Sequence, residues 1–224
     1  MTSRFWYPAA AGAGYLVGSL SATRAIATFV APGDDLSTTE YDIDETGTLV
    51  SRGVSPSALG ARAGGRWGGL AALLDIGKAF AVTSFVRGVA PDSHAQAAAA
   101  IAGSAAVLGH AYPVYHGFVG GFGQSPIVGS ALALDWLSMP VTTTTGWVAG
   151  IAVGDALVAL EAWPLLMVPY ALWRRDGALL GWSVAVNTIY WIRMAPEARQ
   201  RLEHYRAHRP GWRRRVAEIF DGYA

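Results

Sequence analysis

The sequence predicts an all-α integral membrane protein with about seven transmembrane helices and cytoplasmic loops rich in glycine and serine. Three observations predict it. Of the 224 residues, 52% are hydrophobic and only 15% are charged, whereas soluble domains carry about 25% charged residues. The charges also cluster: residues 98–119, 127–154 and 177–192 carry almost none, while 34–45 and 193–215 are crowded with them. Several apolar runs approach the roughly 20 residues a helix needs to cross a bilayer. Lipid-facing helices joined by wet loops give this texture. A large buried α/β core is the competing reading, and the long apolar runs disfavour it.

The first span covers about residues 6–30, where Gly12, Gly14 and Gly18 allow close helix packing. Arg4 leads into Phe5–Leu16 without a small-residue cleavage site, so this is a first transmembrane helix and not a removed signal peptide. A polar loop follows from Pro32 to about Gly65. Its first half is acidic (Asp34, Asp35, Glu40, Asp42, Asp44, Glu45), and its second half is basic and rich in Gly and Ser. Span two is about 66–87, and Pro91–His94 turns the chain into span three, about 95–115. A glycine-dense loop, 117–123, leads to span four, about 126–139, which ends at Pro140. Span five is about 141–153. Gly154 and Asp155 make a short break, and span six reaches Trp173. Arg174-Arg175-Asp176-Gly177 is a tight turn before span seven, about 178–193. Spans four and five are short, so five or six crossings also fit. Residues 1–195 therefore form a multi-span domain, and 196–224 a basic cytoplasmic helix.

Arginines cluster in the tail (Arg199, Arg201, Arg206, Arg209, Arg213–Arg215). The positive-inside rule places that tail in the cytoplasm of a cell-membrane protein. The 32–65 and 110–125 loops then lie inside and the N-terminus outside. Arg174 and Arg175 fall outside, against the rule, but the tail carries more charge. The net charge of +1 gives no strong field to draw nucleic acid, and the absence of cysteine excludes thiol chemistry, disulfides and Cys-ligated metals. No internal repeat of the inverted-repeat transporter kind is present.

Two loops thus meet on the cytoplasmic face: Val50-Ser-Arg-Gly-Val-Ser-Pro-Ser-Ala-Leu-Gly-Ala-Arg62 and Gly109-His-Ala-Tyr-Pro-Val-Tyr-His-Gly-Phe-Val-Gly-Gly-Phe-Gly123. Glycines let backbone N–H groups approach an anion, and hydroxyls and arginines complete a phosphate cradle. The same glycines also serve plain turns that need φ > 0.

Three motifs resemble the bacterial acyl-phosphate:glycerol-3-phosphate acyltransferase (PlsY) family, in family order across most of the chain. Gly18-Ser19-Leu20 resembles its G-S-(I/L) start. Ser51 and Ser57 fall on the serine and threonine of its G-S-G-N-x-G-A-T-N stretch, and Leu74-Asp75-Ile-Gly-Lys78-Ala79 falls on its L-D-x-x-K-G helix. Gly109-His110-Ala-Tyr-Pro113-Val114 resembles G-H-x-(Y/F)-P-V, and Gly117-Phe-Val-Gly-Gly-Phe-Gly123 resembles G-F-K-G-G-K-G. The last pair is the most specific. Seven spans are also what the family implies.

The departures are as definite. Val119 and Phe122 replace both lysines of the glycine loop, Gly53 and Ala58 replace asparagines, and Arg52 replaces a glycine. The family's arginine position holds Ala61, with Arg62 one step along. Its Arg-His-Arg-Glu tail pattern is kept loosely as Arg193-Met-Ala-Pro-Glu197. Arginine offers a planar fork where lysine is a point charge, so Arg52 and Arg62 are not simple replacements.

The resemblance implies direct transfer of an acyl group from acyl phosphate to glycerol 3-phosphate, without an acyl-enzyme and without a metal or soluble cofactor. Ser51, Arg52, Ser57 and Arg62 would hold phosphate, with Ser19 nearby. Backbone N–H groups of Gly120, Gly121 and Gly123 would bind anionic oxygen. His110 either takes the hydroxyl proton or anchors its loop by a hydrogen bond. Asp75 and Lys78, three apart on one helical face, would form a buried ion pair that orients the loops. Asp135 and Glu161 are further candidates, and Asn187 suits an interhelical hydrogen bond. Tryptophans near span ends (Trp6, Trp67, Trp136, Trp173, Trp191) suit an interfacial belt. A second reading is a catalytically silent family member that binds lipid or a partner membrane protein. A third, a small transporter or channel subunit, is disfavoured by the scarcity of intramembrane charge.

Overall fold

The computed structural model describes residues 5–44, 47–208 and 211–221; Arg4, Glu45 and Arg209 of the reading above lie outside the described residues. The expected first span is two helices, α1 (Trp6–Gly18) and α2 (Ala22–Val30). They part because the Ser21 side chain accepts the N–H of Arg24 and caps a new helix.

The expected polar loop is also structured, so the chain is not wholly α. Strands β1 (Thr38–Asp44) and β2 (Gly47–Arg52) pair antiparallel, Thr39 opposite Ser51 and Tyr41 opposite Leu49. Thr39, Leu49 and Ser51 are buried while Glu40 and Arg52 are exposed, the period-2 pattern of a strand. Gln200 fixes the hairpin by accepting from the Val50 N–H at 3.1 Å and donating to the Val50 carbonyl at 3.2 Å. Helix α3 (Pro56–Ala63) follows, with Ser55 as its N-cap and Pro56 at the first position.

Two helices are long and apolar enough to cross a membrane: α4 (Gly65–Val89), and α5 (Asp92–Ala111) with the short 3₁₀ turn after it, together spanning Asp92–His116. Pro91 separates them. Beyond the glycine loop lie α6 (Gln124–Leu134), α7 (Ser138–Val153), α8 (Ala156–Glu161) and α9 (Met167–Arg174). Gly154 ends α7 in the left-handed region and Asp155 caps α8. The expected sixth span is therefore discontinuous, because a 3₁₀ turn containing Pro164 parts α8 from α9. Asp176 accepts the N–H groups of Ala178 and Leu179, both at 2.9 Å, and starts α10 (Gly177–His208). This helix runs unbroken through Pro196 into the arginine-rich tail, and α11 (Trp212–Asp221) follows.

Polar groups lie inside and apolar ones outside. Thr83, Ser130, Ser183 and Asn187 are buried, whereas Leu73, Phe85, Trp173 and Ile192 are exposed. In lipid that is the favourable arrangement, since interior polar groups need protein partners. Ser130, Ser183 and Asn187 have them: the Trp182 indole donates to Ser130 at 3.2 Å, Ser183 donates to the Leu179 carbonyl at 2.8 Å, and the Asn187 amide donates to the carbonyls of Pro164 (2.7 Å) and Ser183 (2.8 Å), while the Thr83 hydroxyl has no hydrogen-bond partner among the described residues. The core packs α5, α6, α9 and α10 around Ile127, Met167, Leu179, Trp182 and Tyr190.

Candidate active site

His110 closes the last turn of α5, and α4 supplies its neighbours. Asp75 and Lys78 meet at 2.7 Å, the i, i+3 pair their spacing predicts. The Nδ1 of His110 lies 3.3 Å from the Lys78 ammonium and 3.7 Å from an Asp75 oxygen. Lys78 also donates to the carbonyl of Leu20, which ties α4 to the break between α1 and α2. Asp75 is fully buried, and among the described residues it is held by these charge contacts alone. The His110 Nδ1 therefore faces both an ammonium and a carboxylate, and the ring is held by this pair.

Backbone pairing stitches the two loops together. The Val54 N–H donates to the Gly120 carbonyl at 3.1 Å, and the Gly121 N–H donates to the His110 carbonyl at 3.2 Å. Arg193 of α10 clamps the same place, donating to Gly120 O at 2.9 Å and to Arg52 O at 3.4 Å. A Cβ on Gly121 would sit 2.5 Å from His110 Nε2 and 2.9 Å from the Val54 carbonyl, so only glycine allows this approach.

A cavity of about 790 Å³ opens between the loops. Of the residues singled out from sequence, it brings together Ser51, Ser57, His110, Gly123 and Glu161. Around them lie Ser55, Tyr190, Glu197 and Arg201. The N-termini of α3 and α6 both border it, at Ser55–Ser57 and Gly123–Ser125. No side chain caps α6, so its first N–H groups are not taken by a capping side chain. Two converging helix N-termini favour an anion.

Other expected residues lie elsewhere. Ser19 spends its hydroxyl on the Tyr15 carbonyl and accepts from the Val114 N–H, behind the site. Arg52 and Arg62 are exposed and outside the cavity lining; Arg62 donates to Thr38 O. Gly120 and Gly121 pack behind His110, and the Gly121 N–H is already taken. Asp135 lies at the far end, paired with Arg174 at 2.9 Å and accepting from Tyr170.

Glu197 was visible in sequence only as the end of a weak tail pattern. It is buried against the Ser51 hydroxyl and the Arg52 N–H. Burial, with Glu161 nearby, pushes its carboxyl up to about 7. Burial and the Glu197 charge push the Tyr41 phenol up to about 12. Glu161 accepts from Tyr190 and from Gln124.

The model of a family described as glycerol-3-phosphate acyltransferase matches residues 9–204. The chain belongs to the glycerol-3-phosphate acyltransferase family. A glycerol-3-phosphate acyltransferase of Maricaulis maris is 30% identical over 202 residues, 87% of this chain and 84% of that protein. One from Pseudomonas aeruginosa is 34% identical over 91 residues, and there the match spans 47% of the relative's length. The fold matches the crystal structure of PlsY (YgiH), an integral membrane glycerol 3-phosphate acyltransferase, in its glycerol 3-phosphate form. That match has a TM-score of 0.69 at 20% identity and covers 88% of this chain and 92% of that one. For the lysophosphatidic acid form the TM-score is 0.69 at 21% identity, covering 96% and 99%. Membership makes the chain a membrane acyltransferase of phospholipid synthesis.

Among acyltransferases of this family, the present chain has a distinctive glycine loop. Where the resemblance expects lysines, Val119 is exposed and Phe122 borders the cavity. The Arg193 guanidinium lies 6.0 Å from the Phe122 ring centre, so positive charge returns near the second lost lysine from another helix. Its Nη2 donates to the carbonyls of Gly120 and Arg52, while its buried Nε has no hydrogen-bond partner among the described residues. The loosely kept tail pattern Arg193-Met-Ala-Pro-Glu197 is the one sequence signal for this arrangement.

Proposed function

We propose that the chain transfers an acyl group from an acyl phosphate to a hydroxyl of glycerol 3-phosphate, or of a related phosphate-bearing acceptor, giving lysophosphatidate. The supporting observation is the cavity that joins Ser51, Ser57 and His110 to two helix N-termini. We place it at the cytoplasmic face of a seven-crossing protein whose tail, from residue 196 onward, lies in the cytoplasm.

The acceptor phosphate sits against the N-termini of α3 and α6 and takes hydrogen bonds from Ser51 and Ser57. His110 orients the acceptor. A general base works best with a pKa near the working pH, and Glu197 meets that condition. The acceptor oxygen bonds to the acyl carbon while its proton passes to Glu197. The bond from acyl carbon to phosphate oxygen breaks, and inorganic phosphate leaves with the electron pair. Two helix N-termini take over part of the role of the absent lysines.

A second reading, a silent member that binds lipid or a partner membrane protein, is favoured by Val119 and Phe122 at the lysine positions. One assay separates the two. Purified protein is incubated with palmitoyl phosphate and labelled glycerol 3-phosphate, and lysophosphatidate is counted. Acyl transfer is expected, with Glu197→Gln lowering kcat by about 10²-fold or more, the usual scale of general-base loss, and Ser51→Ala raising KM for the acceptor. No product from the wild type, with a stoichiometric protein partner co-purifying, would favour the silent reading.

A further inference from the structure

A second cleft lies on the other side of Lys78 from His110. It has a volume of about 530 Å³ and lies between α2, α4 and the 114–116 turn. Its walls are apolar: Leu20, Ala25, Leu74 and Tyr115 line it. Leu20, Leu74 and Tyr115 are also half exposed, at 55%, 48% and 53%, so the cleft opens onto the apolar outer surface. Three basic side chains border it: Arg24, Lys78 and His116. Among the described residues no carboxylate lines it, and Asp75, beside Lys78, is paired with that ammonium. Arg24 donates one guanidinium nitrogen to the Val119 carbonyl at 3.0 Å, while its buried Nε has no hydrogen-bond partner among the described residues.

A cleft with an apolar floor, an outward mouth and basic groups at one end matches an amphiphile with an anionic head. Guanidinium and ammonium groups are the side chains that hold phosphate. We propose that this cleft binds an anionic phospholipid of the bilayer, with its headgroup phosphate on Arg24 and an acyl chain along Leu20 and Leu74. The site is separate from the cavity that holds Ser51 and Glu197, although Lys78 and His110 form a wall between them. It requires no acyl transfer, so it stands or falls apart from the proposed reaction.

The test uses the full chain in phosphatidylcholine nanodiscs, with and without phosphatidate, read by thermal stability and by native mass spectrometry of retained lipid. Phosphatidate is expected to raise the melting temperature and to remain bound. Arg24→Gln should lower retention about tenfold, and Ala25→Phe, which fills the cleft and leaves every charge in place, should do the same. Arg66→Gln removes an exposed arginine that stacks on Trp67 outside the cleft, and it should retain phosphatidate like the wild type. Equal losses in the Arg24 and Arg66 variants would reduce the effect to general surface charge and overturn the proposal. Full retention in Ala25→Phe would overturn it too. So would an equal stabilisation by inorganic phosphate in discs of phosphatidylcholine alone, because the cleft would then bind a free anion without the lipid.

Discussion

Asp75 shows how narrowly single residues hold this site. Its carboxylate is fully buried, and Lys78 is the close cation beside it at 2.7 Å. Removing one partner of a buried pair leaves an uncompensated charge and costs about 3–5 kcal/mol, whereas replacing both by neutral groups of similar shape is often nearly neutral. Lys78→Met should therefore lower the melting temperature sharply in detergent. Asp75→Asn combined with Lys78→Met should recover most of the loss. Additive losses in the double variant would show that the pair is not coupled. Glu197 gives a second expectation, with a definite sign. Its carboxyl moves from an ordinary 4.5 to about 7, so between those values the folded state binds more protons than the unfolded state. Stability then falls as pH rises from about 4.5 to 7 and levels off above that. In Glu197→Gln the contribution of this group disappears, so melting temperatures at pH 5.5 and pH 8 should lie closer together than in the wild type.

Between elements, α1 approaches α5 so closely that only glycine fits at two positions. A Cβ on Gly14 would lie 2.1 Å from the Ala102 carbonyl oxygen, and one on Gly18 would lie 2.2 Å from that of Ala106. On Gly12 it would meet nothing within 4 Å. Gly18→Ala should thus force the helices apart, at an overpacking cost of about 1–3 kcal/mol. Gly12→Ala should be neutral or should stabilise by up to about 1 kcal/mol, the helix-propensity gain over glycine. Thermal melts of the two variants check the contrast. The three glycines were equivalent in sequence; only the packing separates them. The same limit applies across the fold. Apolar run length sufficed for α4 and α5, and the breaks at Gly154 and at 174–177 were legible because their residues carry turn chemistry. The break at Ser21 and the β1–β2 hairpin were not legible, since capping and strand pairing depend on which neighbours arrive. The site divides the same way. His110, Ser51 and Ser57 were legible from motifs with fixed spacing. Arg193, Glu197 and Arg201 arrive from a distant helix, and no local pattern carries them to the loops.

At the scale of the whole molecule, the proposed orientation is best tested on α10. Its 32 residues, at about 1.5 Å each, make a rod roughly 48 Å long, well beyond the ~30 Å hydrocarbon core. Its two ends, near Arg175 and near Arg206, must therefore lie on opposite sides of the membrane if the helix crosses it. The Arg175 end gathers Arg174, Asp135 and the Arg87 side chain, which donates to the Ala133 carbonyl. The Arg206 end continues from the clamp on the candidate site and carries Arg199, Arg201 and Arg206. Positive charge favours the cytoplasm for the second end, and the opening of the cavity goes with it. The chain has no cysteine, so single cysteines report without background. In intact cells, Arg175→Cys should react with a membrane-impermeant maleimide, whereas Arg206→Cys and Ser57→Cys should react only after the membrane is permeabilised. Labelling of Arg206→Cys from outside would reverse the orientation and place the candidate site on the face away from soluble glycerol 3-phosphate. Labelling of both ends from the same side would mean that α10 lies along the membrane and does not cross it.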